Sequence, residues 1–455
     1  MPAAQHKKAQ ARTTDSKIER QQLIHQELER VDHKDPALGC TKHIKMASNP
    51  FVFLRGSAQL FYADLAKGNL KLPEALLTPP LTTIMGDCHT SNFGFLSEEG
   101  AHGESVIFAP NDFDDACAGH AAWDLARFCT SLALCVDFAE GALAGCYALE
   151  EALDDDQAVS TAQSRTAMAA FLEQYRETCQ QCAEDADSRN QVLDSFKKKH
   201  ILNAPYKKAK KRIWGGKKFL EKSSLAKEVD LSKQPMRFRD RPERFKPLSA
   251  DEARELTHHF EPYMDDSILD ITERLNAGTG SVNMRRFYCL VGPKDFTSED
   301  DLELCHLVEI KRQRHAAPLY HFPELSAVNR LNPAHLTVHC QQRMQRKPDL
   351  VLDEAEWQDG HWLIRSRHHA RVGIDPEDIV FGEQAVKGGF EQYAATCGQA
   401  LALAHCRGDR RSTHFEQTMS EVLPDQIEAL INACEGYAEQ VKEDCGYLRG
   451  LYLGE

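Results

Sequence analysis

The sequence predicts an α+β chain folded in two lobes, one helical and one built around a sheet, and three observations carry that expectation. The chain has 455 residues, more than a single hydrophobic core usually serves. Apolar residues recur at helical spacing over 121–150, 164–182, 389–405 and 414–448. Between these stretches lie short apolar runs bounded by turns. Arg286–Val291 and Leu304–Ile310 read as paired strands, and Glu354–Trp357 with His361–Ile364 reads as a hairpin about Asp359-Gly360.

In chain order, residues 1–45 form a polar extension, helical or frayed. Residues 46–265 make the helical lobe and hold most of the motifs, with Asp154-Asp155-Asp156 as a connection. A basic insertion lies at about 197–222, with ten lysines, one arginine and one acid. Residues 266–388 form the sheet lobe, opening near Asp266 and including a helix over about 333–346. Residues 389–455 are helices that return to the helical lobe.

Composition narrows the function classes. Hydrophobic residues make up 42% and charged residues 27%, an ordinary globular balance. The net charge of -14 argues against a general nucleic-acid binder and leaves 197–222, with Tyr206, Trp214 and Phe219, as the one candidate surface. A charge run of this kind is more often a solvated face. The N-terminus has no apolar core, and no run approaches the ~20 apolar residues that span a bilayer. The fifteen cysteines are scattered, and only Cys179 and Cys182 form a CxxC, so reduced thiols in a cytoplasmic protein are expected.

The chemistry concentrates in Gly86-Asp-Cys-His-Thr-Ser-Asn92. An acid followed five positions later by Asn is the spacing of a kinase catalytic loop. There Asp87 would accept or orient the proton of an attacking hydroxyl, and Asn92 would reach round to a magnesium ion. Twenty residues further on, Asp112 follows the apolar strand Val106-Ile-Phe108 within Asn111-Asp-Phe-Asp-Asp115. A carboxylate there suits a second magnesium ligand. Gly119-His-Ala-Ala-Trp-Asp-Leu-Ala-Arg-Phe128 is similar to strings in aminoglycoside phosphotransferases, where the acid equivalent to Asp124 braces the catalytic loop.

The nucleotide half is read further along. Gly278 and Gly280, followed by Ser281, would let backbone N–H groups approach phosphate. Lys311 ends Leu307-Val-Glu-Ile-Lys311, close to the Val-Ala-Ile-Lys pattern that sets a lysine on the α- and β-phosphates. In an ordinary kinase these parts come first. The reversed order is resolved by a circular permutation. The helix ending Leu401-Ala-Leu-Ala-His405, with its stripe at 390, 394, 397, 401 and 404, is the helix that would lead into the loop at Gly86.

These residues resemble the bacterial domain-of-unknown-function family DUF2252. The carriers are Pro50–Gly56, Ala63–Ala66, Gly86–Gly94, Asn111–Asp115, Trp123–Arg127, Gly278–Ser281, Leu401–His405 and Tyr437–Gln440. The resemblance implies a distant relation to the protein kinase-like fold. Two departures stand out. Asn283-Met284 replace Gly-Thr, and Cys340 stands where a helix acid is expected, so Lys311 needs its carboxylate from Glu324 or another acid.

The expected activity is an ATP- and magnesium-dependent phosphotransfer to an unidentified acceptor, a small-molecule hydroxyl or a protein side chain, with the small-molecule resemblance favouring the former. Asp87 is the base, and Asn92 and Asp112 are the metal ligands. Gly278, Gly280, Ser281 and Lys311 hold the phosphates. His89, Asp114, Asp124, His405 and Arg55 give structural support. Three alternatives stay open: a non-catalytic nucleotide-binding pseudokinase, a metal-dependent phosphoesterase using Asp87 and His89, and nucleotidyl transfer.

Overall fold

The computed structural model describes residues 2–149, 152–153, 155–275, 284–296 and 299–453. It is a mixed α+β arrangement around a six-stranded antiparallel sheet. The strand order is Leu352–Trp357, Gly360–Arg367, His306–Arg312, Arg286–Gly292, Ser267–Arg274 and Phe245–Lys246. Alternation along the strands gives the sheet two different faces. Val308 and Ile310 lie with Phe287, Cys289 and Ile364 under Leu256 and Phe260 of the helix Ala250–Phe260. The other parity carries Leu307, Glu309 and Lys311. Leu307 packs with Phe219, Leu225 and Val229, whereas Glu309 and Lys311 are buried charges beside Arg286 and Arg365. At one end, around Leu307, this face is half of an apolar core; at Glu309 and Lys311 it buries charge and walls a polar site.

The sheet draws in residues that the sequence reading assigned to the helical lobe. Phe219, Leu225, Val229 and Met236 pack against Leu290 and Leu307, and Phe245–Lys246 pairs with Glu273 and Arg274 as an edge strand. The strands Val229–Asp230, Arg237–Phe238 and Phe245–Lys246 are two residues long, too short to show alternation in the sequence.

The helices Ala121–Leu143, Thr161–Glu184, Phe390–Gly408 and Ile427–Leu453 share the largest core cluster. The expected helix 121–150 stops at Leu143, two residues before Gly145 turns to a φ of 75°. The expected helix 414–448 is two helices, split at Leu423–Gln426 by Pro424. The N-terminal helix Pro2–Asp32 packs from Leu23 onward, and Arg20 pairs with Asp64 and Asp444. In the basic segment Phe219 is buried and Tyr206 packs on Phe95, while Lys207, Lys208 and Lys210 are exposed. No helix among the described residues is long and apolar enough to cross a membrane.

Two small sheets position the motif loops. Thr82–Ile84 pairs with Cys117–Gly119, and Phe93–Ser97 pairs with Val106–Pro110. Residues 85–92 and 111–116 are therefore the connections between two paired sets of strands and lie side by side.

Candidate active site

The first loop is held from behind. Asp124, fully buried near the start of its helix, accepts hydrogen bonds from the N–H groups of Met85 at 2.6 Å and Gly86 at 3.1 Å. His405 Nε2 lies 3.1 Å from the same carboxylate, and His405 Nδ1 lies 2.8 Å from the Tyr175 hydroxyl. Gly86 has a φ of 74°, and a Cβ there would run into the Asp115 backbone carbonyl. Glycine thus lets the two loops meet. The Asn92 amide donates to the Asp87 carbonyl at 2.8 Å, and Asn111 N donates to the Asn92 carbonyl at 3.1 Å.

Asp87 has one strong partner. The buried Arg127 guanidinium donates to its Oδ1 through Nε at 2.8 Å and lies 2.6 Å from it through Nη2. Burial pushes the Asp87 carboxyl up to about 6. Arg127 pulls it down, and the charges of Asp115 and Asp112 push it up. His89 is buried, with Nε2 3.8 Å from Asp87 and its ring edge-on to Phe51. Burial, together with the charges of Arg55 and Arg127, keeps it neutral. Arg55 itself lies over the Phe51 ring, 5.8 Å from its centroid.

The second loop meets the sheet. The Lys311 ammonium pairs with Asp114, and Gln313 Nε2 donates to the same carboxylate at 3.2 Å. Arg314 grips Asp115 through two nitrogens at 2.7 and 3.0 Å, and Ala317 N donates to Asp115 at 2.7 Å. Burial pushes the Lys311 ammonium down to about 7. Asp112 opposes this, while Arg365, Arg314 and Arg371 reinforce it. Beside it, burial disfavours the Glu309 charge, yet Arg286 at 2.9 Å, Arg365 at 3.0 Å and Arg367 at 3.3 Å hold its carboxyl below the usual range. Arg365, Arg367 and Arg371 line a small pocket with Asn111 and Phe113, so the guanidinium cluster opens onto the Asp112 loop.

The structure thus brings Asp87, Asn92, Asp112, Asp114 and Lys311 to one place, with His89 beside Asp87 and with Asp124 and His405 supporting the loop from behind. Gly278, Gly280 and Ser281 lie outside the described residues. The carboxylate that Lys311 lacks on the helix Pro333–Met344, where Cys340 is buried, comes from Asp114; Glu324 is exposed. Sequence reasoning missed Arg127, Asp115, Arg314 and Glu309 as participants. The strings Asp114-Asp115 and Lys311-Arg-Gln-Arg314 carried the signal, because matching runs of opposite charge are what two loops need in order to clamp together.

Comparison with curated proteins and with solved structures returns no match for the chain. Residues 34–449 match the family described as uncharacterized protein conserved in bacteria, DUF2252, and the chain therefore belongs to that family.

Proposed function

We propose that the chain is an ATP- and magnesium-dependent phosphotransferase with a circularly permuted, kinase-like architecture, acting on a small-molecule hydroxyl. One observation carries this reading: Lys311 pairs with a carboxylate of the Asp112 loop, 197 residues earlier in the chain, and so joins both halves of the expected site. The donor set fits magnesium. Asp112 offers a carboxylate, and Asn92 uses its amide nitrogen on Asp87, leaving its oxygen available. Bound magnesium would neutralise phosphate charge at that position. Lys311 and the Arg365–Arg367–Arg371 cluster supply positive charge for the phosphates. Asp87, pushed up to about 6, suits the role of proton acceptor for a hydroxyl near neutral pH.

The permutation has its own support. The Thr82 hydroxyl donates to the His405 carbonyl at 2.6 Å, and a Cβ on Gly408 would collide with Thr82 and Thr83. The end of the helix Phe390–Gly408 therefore abuts the strand that leads into Gly86, which is the join an unpermuted chain would make. A second reading, a nucleotide-binding regulator without turnover, draws on Arg127, whose guanidinium already occupies Asp87.

Calorimetry with Mg-ATP tests the proposal on wild type, Asp112→Ala and Lys311→Ala. Binding weakened at least about tenfold in both variants is expected, on the order of 1.4 kcal/mol or more. No binding to wild type removes the reading. Binding without turnover over a panel of hydroxyl acceptors favours the regulator.

A further inference from the structure

Away from this cleft, three side chains from separate segments converge. His102 lies in the turn between Phe93–Ser97 and Val106–Pro110. Asp265 precedes the strand Ser267–Arg274, and His306 opens the strand His306–Arg312. His102 Nε2 is 2.7 Å from one Asp265 oxygen, and His306 Nε2 is 3.1 Å from the other. The two imidazole rings are 4.7 Å apart at 66°, and one donor atom from each of the three residues lies within 4.8 Å of the others.

We propose that His102, Asp265 and His306 bind one divalent transition-metal ion of the zinc class. Two imidazole nitrogens and one carboxylate oxygen form a donor set that favours zinc, cobalt or nickel over magnesium or calcium. Zinc bonds of about 2.0–2.2 Å place neighbouring tetrahedral donors roughly 3.4 Å apart, so the trio closes on an ion with shifts of less than about 1 Å. A second observation points the same way. His306 is buried, and its Nε2, facing Asp265, makes no hydrogen bond of good geometry. The ring nitrogen thus meets the carboxylate as a charge partner, out of line for a hydrogen bond, and an ion between the two would take its lone pair. The fourth position faces solvent, because His102 and Asp265 are exposed.

His369 stands behind the trio, buried, with its Nδ1 lacking a hydrogen-bond partner. Burial first, and then the charges of His306 and His102, push it down to about 3, so this corner holds a further neutral imidazole.

The ion would act as a clamp rather than in the chemistry at Asp87. His306 and Lys311 are five residues apart on one strand, roughly 17 Å. An ion held by the 98–105 turn and by this strand fixes the sheet against the small sheet that carries the motif loops. The inference stands without the phosphotransfer reading. Metal-free, the trio is an ion-paired cluster, in which Asp265 raises the affinity of His102 for its proton. Zinc must displace that proton, so binding weakens as pH falls.

The test uses the full chain, stripped with a chelator and titrated with zinc chloride by calorimetry and by thermal unfolding. The expected result is about one equivalent bound per chain and a midpoint raised by a few degrees. Magnesium at the same concentration produces no shift. His102→Ala, an exposed turn position whose circular dichroism should match wild type, loses both effects, and so does Asp265→Asn. Two results overturn the proposal. One is wild type that neither binds zinc nor shifts. The other is His102→Ala that binds as tightly as wild type, which would locate the zinc among the fifteen thiols instead.

Discussion

Asp124 is fully buried and accepts two backbone hydrogen bonds and one imidazole contact. Its partners sit on two other segments, the Gly86 loop and the helix Phe390–Gly408. Removing the carboxylate leaves two backbone donors and His405 unsatisfied inside the core. Asp124→Ala is expected to cost about 3–5 kcal/mol, read by urea unfolding. Asp124→Asn should cost less, because its amide oxygen still accepts one of the backbone bonds. The supporting role was legible in the string around Trp123-Asp124. The roles of Arg127 and Asp115 were not, because a charged residue on a helix or in a loop looks the same in sequence whether it faces water or a partner.

At the scale of elements, the N-terminal helix shows where periodicity falls short. Residues 1–45 read as a polar extension, and polar composition gave no sign of docking. The helix Pro2–Asp32 docks through Leu23, Ile24 and Leu28 and, one turn earlier, through charge. Arg20 bridges Asp64 and Asp444, which are 0% and 1% exposed, and the Tyr437 hydroxyl donates to Asp64 at 2.8 Å. Asn69 also donates to Asp64 and Gln440 to Asp444, but Arg20 is the positive charge that both buried carboxylates share. Arg20→Ala is therefore expected to destabilise by about 3–5 kcal/mol, well beyond a surface substitution, and Arg20→Lys to recover only part because one ammonium cannot serve both acids in the same geometry. Thermal unfolding of the two variants side by side checks this.

For the whole molecule, buried histidines set an acid limit. His369 is pushed down to about 3 and His89 well below its usual range, both chiefly by burial. The unfolded chain takes up these protons near pH 6.5, before the folded one does. Their contribution to stability is thus intact above about 6.5 and is lost as pH falls below it, by about 1.4 kcal/mol per pH unit for each group. Asp87, raised to about 6, works in the opposite direction between its unfolded value near 4 and 6. The difference between variants isolates the histidine term. His369→Gln is expected to flatten the fall in urea midpoint between pH 6.5 and 5 by about one proton.

By itself the sequence determined the α+β class, the principal strands and helices, and the residues of the two motif loops with the lysine strand. Alternation, helical stripes and fixed motif spacings are local, and a chain cannot hide them. Only the tertiary structure decided that Asp114 is the carboxylate of Lys311, that Arg127 occupies Asp87, that residues 219–260 belong with the sheet, and that His102, Asp265 and His306 share a corner. These pairings join residues 40 to 204 positions apart in the chain. Which of many similar charges meet is set by the packing of apolar faces elsewhere, and that packing is not written in the charged residues themselves.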